Sequence, residues 1–266
     1  MTQLDNRYLI IGYQRSGTTA LHLILGGHPA ISTFTGELRE PYFSKGLTAF
    51  NAGYLSDAEQ AHGHRLLFDA ITGAHADDGT QLQGAKTVCN SPKAAEVIMR
   101  ALGEHLPGMK IIIIERRDLV AQYGSQQMTK ASGVYHSWQG KSEARQASVK
   151  IDRRLFKRYV LVVERTYAAL QKLRDTHPVL HLTHESFLAD NDGIYREALE
   201  FLGVDYAAPE WFGSKKVLPH ASSYVQDYEE LTGLLEDTRE QLAAGTLSPR
   251  EDQFLKVYTR ARRTLW

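Results

Sequence analysis

Arg15, Ser16, Gly17, Thr18 and Thr19 close the stretch that opens with the apolar run Tyr8 to Ile11 and Gly12, RYLIIGYQRSGTTALH. A guanidinium, hydroxyls and glycines in this order suit the holding of an anion. A glycine-rich turn feeding a helix presents several backbone N–H groups to a negative charge, and the helix dipole adds to them. Gly17 lets the chain bend close to such a ligand. The spacing from Gly12 to Gly17 is that of the ATP-binding pattern G-x-x-x-x-G-K-[ST], but Thr18 stands at the lysine position. In that pattern the lysine reaches the β- and γ-phosphates and the next hydroxyl holds Mg²⁺. Thr18 cannot carry that charge, so a ligand with less negative charge at this end, and no metal, fits better. Read alone, the loop is equally a strand–turn–helix corner with useful glycines.

A second set of donors lies in KIIIIERRDLVAQYGSQQ, where Arg116 and Arg117 follow the most apolar tetrad of the chain. Ser125 comes eight residues after Arg117, about two turns into the next helix. An arginine at a strand end gives a fixed fork of donors and a serine on the adjoining helix gives a short one, so the two can converge on one phosphate. The alternative is that the arginines pair with Glu115 or Asp118 at a solvated edge.

The elements that must position these residues alternate. Tyr8 to Ile11 reads as a buried strand and Thr18 to Leu25 as a helix closed by Gly26, Gly27 and Pro29. Ala30 to Phe34 is a short strand, residues 57 to 72 have helical spacing, and Gln83 to Val88 is a weak strand. Pro92 opens a helix that Pro107-Gly108 ends. Lys110 to Ile114 is the strongest strand, and Asp118 caps the helix after it. A long helix spans Ala147 to Arg174, Val179 to Leu182 is a strand, and Ile194 to Leu202 is a helix ended by Gly203. The acidic run Tyr228 to Glu240 reads as a solvated amphipathic helix. This order predicts an α/β fold: one domain over residues 1–266, with a mainly parallel sheet flanked by helices on both faces. Right-handed crossovers then bring the loops after Ile11, Ile114 and Leu182 to one carboxyl edge, where ligands bind. Residues 35–82 and 126–150 read as insertions able to cover that edge.

Composition narrows the partners. Lys+Arg and Asp+Glu are both 31, so there is no global basic field for nucleic acid or anionic membrane, and any anion site is built locally. A single cysteine, Cys89, excludes an internal disulfide and a cysteine-rich zinc site and fits a reducing compartment. With no secretory signal and no apolar run of ~18 residues, the expectation is a soluble, cytoplasmic protein without membrane insertion. The eleven histidines form no metal-ligand spacing, so no metal is expected.

Taken together these motifs resemble the sulfotransferases that use 3′-phosphoadenosine 5′-phosphosulfate (PAPS). YQRSGTTAL is similar to their 5′-phosphosulfate loop, and IIIIERRDLVAQYGS to their 3′-phosphate motif, with Arg117 and Ser125 eight apart and Leu119 where proline is usual. LHLTHESFLADNDGIYREALEFLGVD resembles their later strand, acidic loop and F-L-G helix. The matches run in family order from residue 8 to about 204, and the C-terminal 60 residues match nothing. The resemblance implies a P-loop-like sulfotransferase fold, PAPS as co-substrate, and Arg15, Ser16, Gly17, Thr18, Thr19, Arg117 and Ser125 as the residues that bind it. A sulfuryl group carries less charge than a γ-phosphate and needs no Mg²⁺, which accounts for Thr18.

Sulfuryl transfer to an alcohol needs a base at the attacking oxygen and positive charge at the leaving oxygen. The cytosolic branch of the family has a histidine after a K-T dipeptide; here Val88 follows Lys86-Thr87, so that base is missing. The branches that use glutamate are a better match. In HPAISTFTGELREPYF, Glu37 lies nine residues after His28, and Glu40 precedes Pro41-Tyr42-Phe43. Glu37 is preferred as base, with Glu40 the alternative. Lys86 and Arg15 are implied as catalytic partners around the bridging oxygen. Acceptors implied by the resemblance are small molecules, carbohydrates or glycolipids. The competing reading is a nucleotide kinase or NTPase with a degenerate phosphate loop.

Overall fold

A computed structural model describes residues 6–33, 81–106, 108–132, 148–209 and 221–260. Five parallel strands form one sheet in the order β2-β3-β1-β4-β5. They are β1 (Arg7–Gly12), β2 (Ile31–Thr33), β3 (Leu82–Val88), β4 (Lys110–Glu115) and β5 (Val179–Thr183). The helices are α1 (Thr18–Gly26), α2 (Pro92–His105), α3 (Leu119–Ser132), α4 (Arg153–Leu170), α5 (His184–Ala189), α6 (Asn191–Leu202), α7 (Tyr228–Ala244) and α8 (Pro249–Arg260).

The apolar tetrads of β1 and β4 are continuous because both strands are paired on both edges and covered on both faces. Alternation splits their side chains. Leu9, Ile11, Ile111 and Ile113 face a core with α2, α3, α4 and α7, whereas Tyr8, Ile10, Ile112 and Ile114 face one with α1 and α6. The chain leaves β1 on one face through α1 and returns to β4 on the other through α2. The carboxyl end of β1 is therefore where the strand order reverses, the usual place for a ligand crevice.

Local signals explain the boundaries. Ser91 caps α2 by accepting from Ala94 N at 3.1 Å, with Pro92 in the first turn. Asp118 caps α3, its Oδ1 accepting from Ala121 N at 2.8 Å. Helix α4 starts later than its apolar spacing predicts, because Asp152 caps it by accepting from Leu155 N at 2.8 Å. Helix α3 runs on to Ser132, so the first part of the predicted insertion 126–150 is helix; Met128 and Thr129 are buried in it. The acidic helix α7 is not merely a solvated face: Leu231 and Leu235 are in the main core. The predicted helix at 57–72 and the candidate bases Glu37 and Glu40 lie outside the described residues. No helix among the described residues is long and apolar enough to cross a membrane.

Candidate active site at the carboxyl edge of the sheet

The loop after β1 is held from three sides. Tyr13 N donates to the Tyr167 hydroxyl at 3.0 Å, and that hydroxyl donates to Ile114 O, also at 3.0 Å, so α4 ties β1 to β4 beneath the loop. Gln14 N donates to Asn90 Oδ1 at 3.1 Å, and Gln122 Nε2 donates to Gln14 O at 2.9 Å. Burial raises the Tyr167 pKa, which keeps the phenol neutral and able to donate. Nothing in an aromatic residue within a helical stripe signals this role; sequence reading had no cue for Tyr167.

Backbone conformation then brings the loop close to anything bound over it. Gly17, with φ 100°, is the residue before α1, and a Cβ there would sit 2.7 Å from His184 Nδ1. Arg15 also has a left-handed backbone, φ 68°, which is uncommon for a residue with a side chain and marks a place where surrounding contacts hold the chain. The first amides of α1 have no acceptor within the helix, which leaves them for an anion at the helix start. Ser16 and Thr18 are buried, and the Ser16 hydroxyl lies beside Tyr167, so these two side chains belong to the floor. Thr19 is half-buried in the first turn.

The two predicted anion motifs meet. Arg15 Nε donates to Ser125 Oγ at 3.1 Å, and Ser125 is 5% exposed. Arg116 Nη1 reaches Arg15 O at 3.5 Å. Arg15 is thus partly desolvated beside a second cation, and burial first, then the Arg116 charge, lowers its pKa. Two like charges held together in such a place are stabilised by an anion. Neither Arg116 nor Arg117 is in an ion pair among the described residues: Glu115 faces His181 at 2.9 Å and Asp118 accepts from Tyr228. The Arg117 side chain is exposed, while its backbone N–H and that of Asp118 donate to the two oxygens of Glu185 at 3.2 and 3.1 Å. Glu185 lies in LHLTHESF, the stretch whose resemblance is to the family's later strand and acidic loop.

Lys86 is 5% exposed in β3, in register with Ile10, on the strand next to the loop-bearing β1. The structure thus joins Arg15 to Ser125 and sets Arg117 at the same sheet edge. A cleft of about 580 Å³ nearby is walled by Tyr224 and Tyr228 but also by Asp227, Glu229 and Glu230, an acidic lining unsuited to a phosphate.

A family model described as "Sulfotransferase family" matches residues 8–208. The chain belongs to the sulfotransferase family. Mouse sulfotransferase SULT7A1 complexed with PAP shares the fold at 13% identity, with a TM-score of 0.50, over 97% of this chain and 89% of that one. A sulfotransferase from Alicyclobacillus acidocaldarius is 20% identical over 90% of this chain and 94% of its own, with a TM-score of 0.48. Among curated proteins none matches significantly. The five-stranded parallel sheet of this sulfotransferase, with its phosphate-loop corner after β1, is the fold its sequence predicts. The family match ends before the last 58 residues, among them α7 and α8.

Proposed function

We propose that this sulfotransferase moves the sulfuryl group of PAPS to a hydroxyl of a small-molecule, carbohydrate or lipid acceptor, with Glu37 as general base. The observation that carries this reading is the bond between Arg15 of the first anion motif and Ser125 of the second. It supports a single crevice for the two motifs, as a nucleotide with phosphate at both its 5′ and 3′ ends requires. The mouse relative with PAP bound supports the same donor class. The residues fit such a ligand: paired cations, a glycine turn a Cβ would obstruct, and helix amides.

PAPS supplies the electrophilic sulfuryl group and a phosphate as leaving group. The chain's own residues do the rest. Gly17, Thr18 and Thr19 receive the 5′ end with backbone N–H groups, and Ser16 fixes the loop beneath them. Arg117 and Ser125 take the 3′-phosphate. Lys86 and Arg15 carry positive charge to the oxygen on which negative charge develops, the term that dominates transfers of this kind. Glu37 accepts the acceptor's proton. Its assignment rests on the spacing from His28. A kinase reading needs a charge where Thr18 stands.

Thermal unfolding tests the reading before any acceptor is known. The chain is unfolded with 3′-phosphoadenosine 5′-phosphate, with AMP, and with ATP plus Mg²⁺, at equal concentration. Stabilisation by the bisphosphate alone, at ~100 times its dissociation constant worth about 2.7 kcal/mol, supports it. Stabilisation by Mg·ATP instead overturns it. With an acceptor in hand, Glu37→Gln lowers kcat on the order of 10²-fold or more; an unchanged kcat moves the role to Glu40.

A further inference from the structure

The turn Arg117–Asp118 is held by a part of the chain outside the family match. Arg239, on α7, donates from Nη2 to Arg117 O at 3.0 Å. Its Nε donates to Glu164 Oε1 of α4 at 2.6 Å, which fixes the direction of the guanidinium. Tyr228, in the first turn of α7, donates to Asp118 Oδ2 at 2.8 Å while the other carboxylate oxygen caps α3. Just before α7, Tyr224 and Val225 lie on α3 at Gly124, where a Cβ would be 2.5 Å from Val225 Cγ2. Gly124 is the neighbour of Ser125. Bonds from Val149 N to Tyr224 O (2.7 Å) and from Gln226 N to Val149 O (2.9 Å) fasten that segment.

Glu185 fixes the amides of the turn, Arg239 one carbonyl, and Tyr228 the carboxylate. What remains exposed is the Arg117 side chain. These contacts do more than tie α7 to the fold. The Arg239–Glu164 pair is 34% and 21% exposed, so solvent screens part of its contribution to stability. Their effect on a flexible arginine is larger: a fixed main chain restricts where the fork can point and lowers the cost of ordering it on a ligand.

We propose that α7 is a positioning element for the 3′-phosphate, acting through Tyr228 and Arg239 on the turn that carries Arg117. This rests on the bisphosphate reading above. It gives the C-terminal segment a function in nucleotide selection.

The test is the ratio of affinities of the full chain for 3′-phosphoadenosine 5′-phosphate and for AMP, by calorimetry. The ratio isolates the 3′-phosphate, and a loss of fold stability alone does not move it. Tyr228→Phe and Arg239→Gln each lower the ratio roughly three- to tenfold, the worth of one hydrogen bond, with AMP affinity within about twofold of wild type. Glu164→Gln, which leaves the turn untouched and releases the far end of Arg239, lowers it in the same direction and serves if Arg239→Gln does not fold. An unchanged ratio in all three, with Arg117→Ala still abolishing the preference, overturns the role of α7 and leaves the donor reading standing. A wild-type chain that does not distinguish the two nucleotides overturns the donor reading itself.

Discussion

Arg15 and Ser125 are 110 residues apart, and the guanidinium of the first bonds the hydroxyl of the second at 3.1 Å. The loop after β1 and the helix after β4 therefore respond as one unit to whatever is bound. A double-mutant cycle reads this directly. On bisphosphate affinity, Arg15→Lys and Ser125→Ala are non-additive by about 0.5–3 kcal/mol, the range for residues in contact. Additive losses would mean that the two sites act independently.

Gly17 tolerates no side chain. Gly17→Ala meets both a left-handed backbone and the His184 ring. Bisphosphate binding falls at least tenfold, with a stability loss of roughly 1–3 kcal/mol. His184→Ala added to Gly17→Ala removes the clash but not the backbone strain, and recovers only part of the loss in melting temperature.

Tyr167→Phe deletes one oxygen and strands two buried groups, Tyr13 N and Ile114 O. Denaturant unfolding loses roughly 1–3 kcal/mol, the cost of unpaired buried polar groups. Because the loop loses its floor, kcat/KM falls too. A variant of wild-type stability would show that Tyr167 only fills space.

Lys86 separates binding from chemistry. If it acts on charge that develops in the reaction, Lys86→Met lowers kcat on the order of 10²-fold and changes bisphosphate affinity little. A matching rise in the dissociation constant, with kcat preserved, would make it a binding residue.

Stability depends on pH through His177. Its ring is buried, with Nε2 3.1 Å from Leu106 O, and burial lowers its pKa below 6.5. Between the folded value and 6.5 the unfolded chain binds more protons, so stability rises with pH there. The contribution is complete above 6.5 and is lost as the pH falls below it. His177→Gln flattens the drop in melting temperature between about pH 7 and 5.5; parallel curves would assign the acid sensitivity elsewhere.

Much of this site is legible in the sequence because it is local. Gly12 to Thr19 and Arg117 to Ser125 are spacings, and spacings survive without tertiary knowledge. The four-isoleucine run, Pro92 and the capping residue Asp118 mark their elements for the same reason. Strand β3 is fainter: Gly84, Ala85 and Lys86 are poor strand markers, and pairing to β1 and β2 overrides them. The roles of Tyr167, Tyr228 and Arg239 have no local signature. Each bonds a backbone group or carboxylate more than 50 residues away, and in sequence each is a stripe residue or a surface charge.

The strand order has a consequence for biosynthesis. β1 emerges first, yet its partners are β3, with Arg7 opposite Gln83, and β4, with Tyr8 opposite Lys110. At ribosomal rates of about 5–20 residues per second, the apolar tetrad Tyr8 to Ile11 waits several seconds for its first strand partner. During that interval it is an unpaired, aggregation-prone strand in the nascent chain, with both edges open, and a chaperone that shields short apolar stretches has its natural target there.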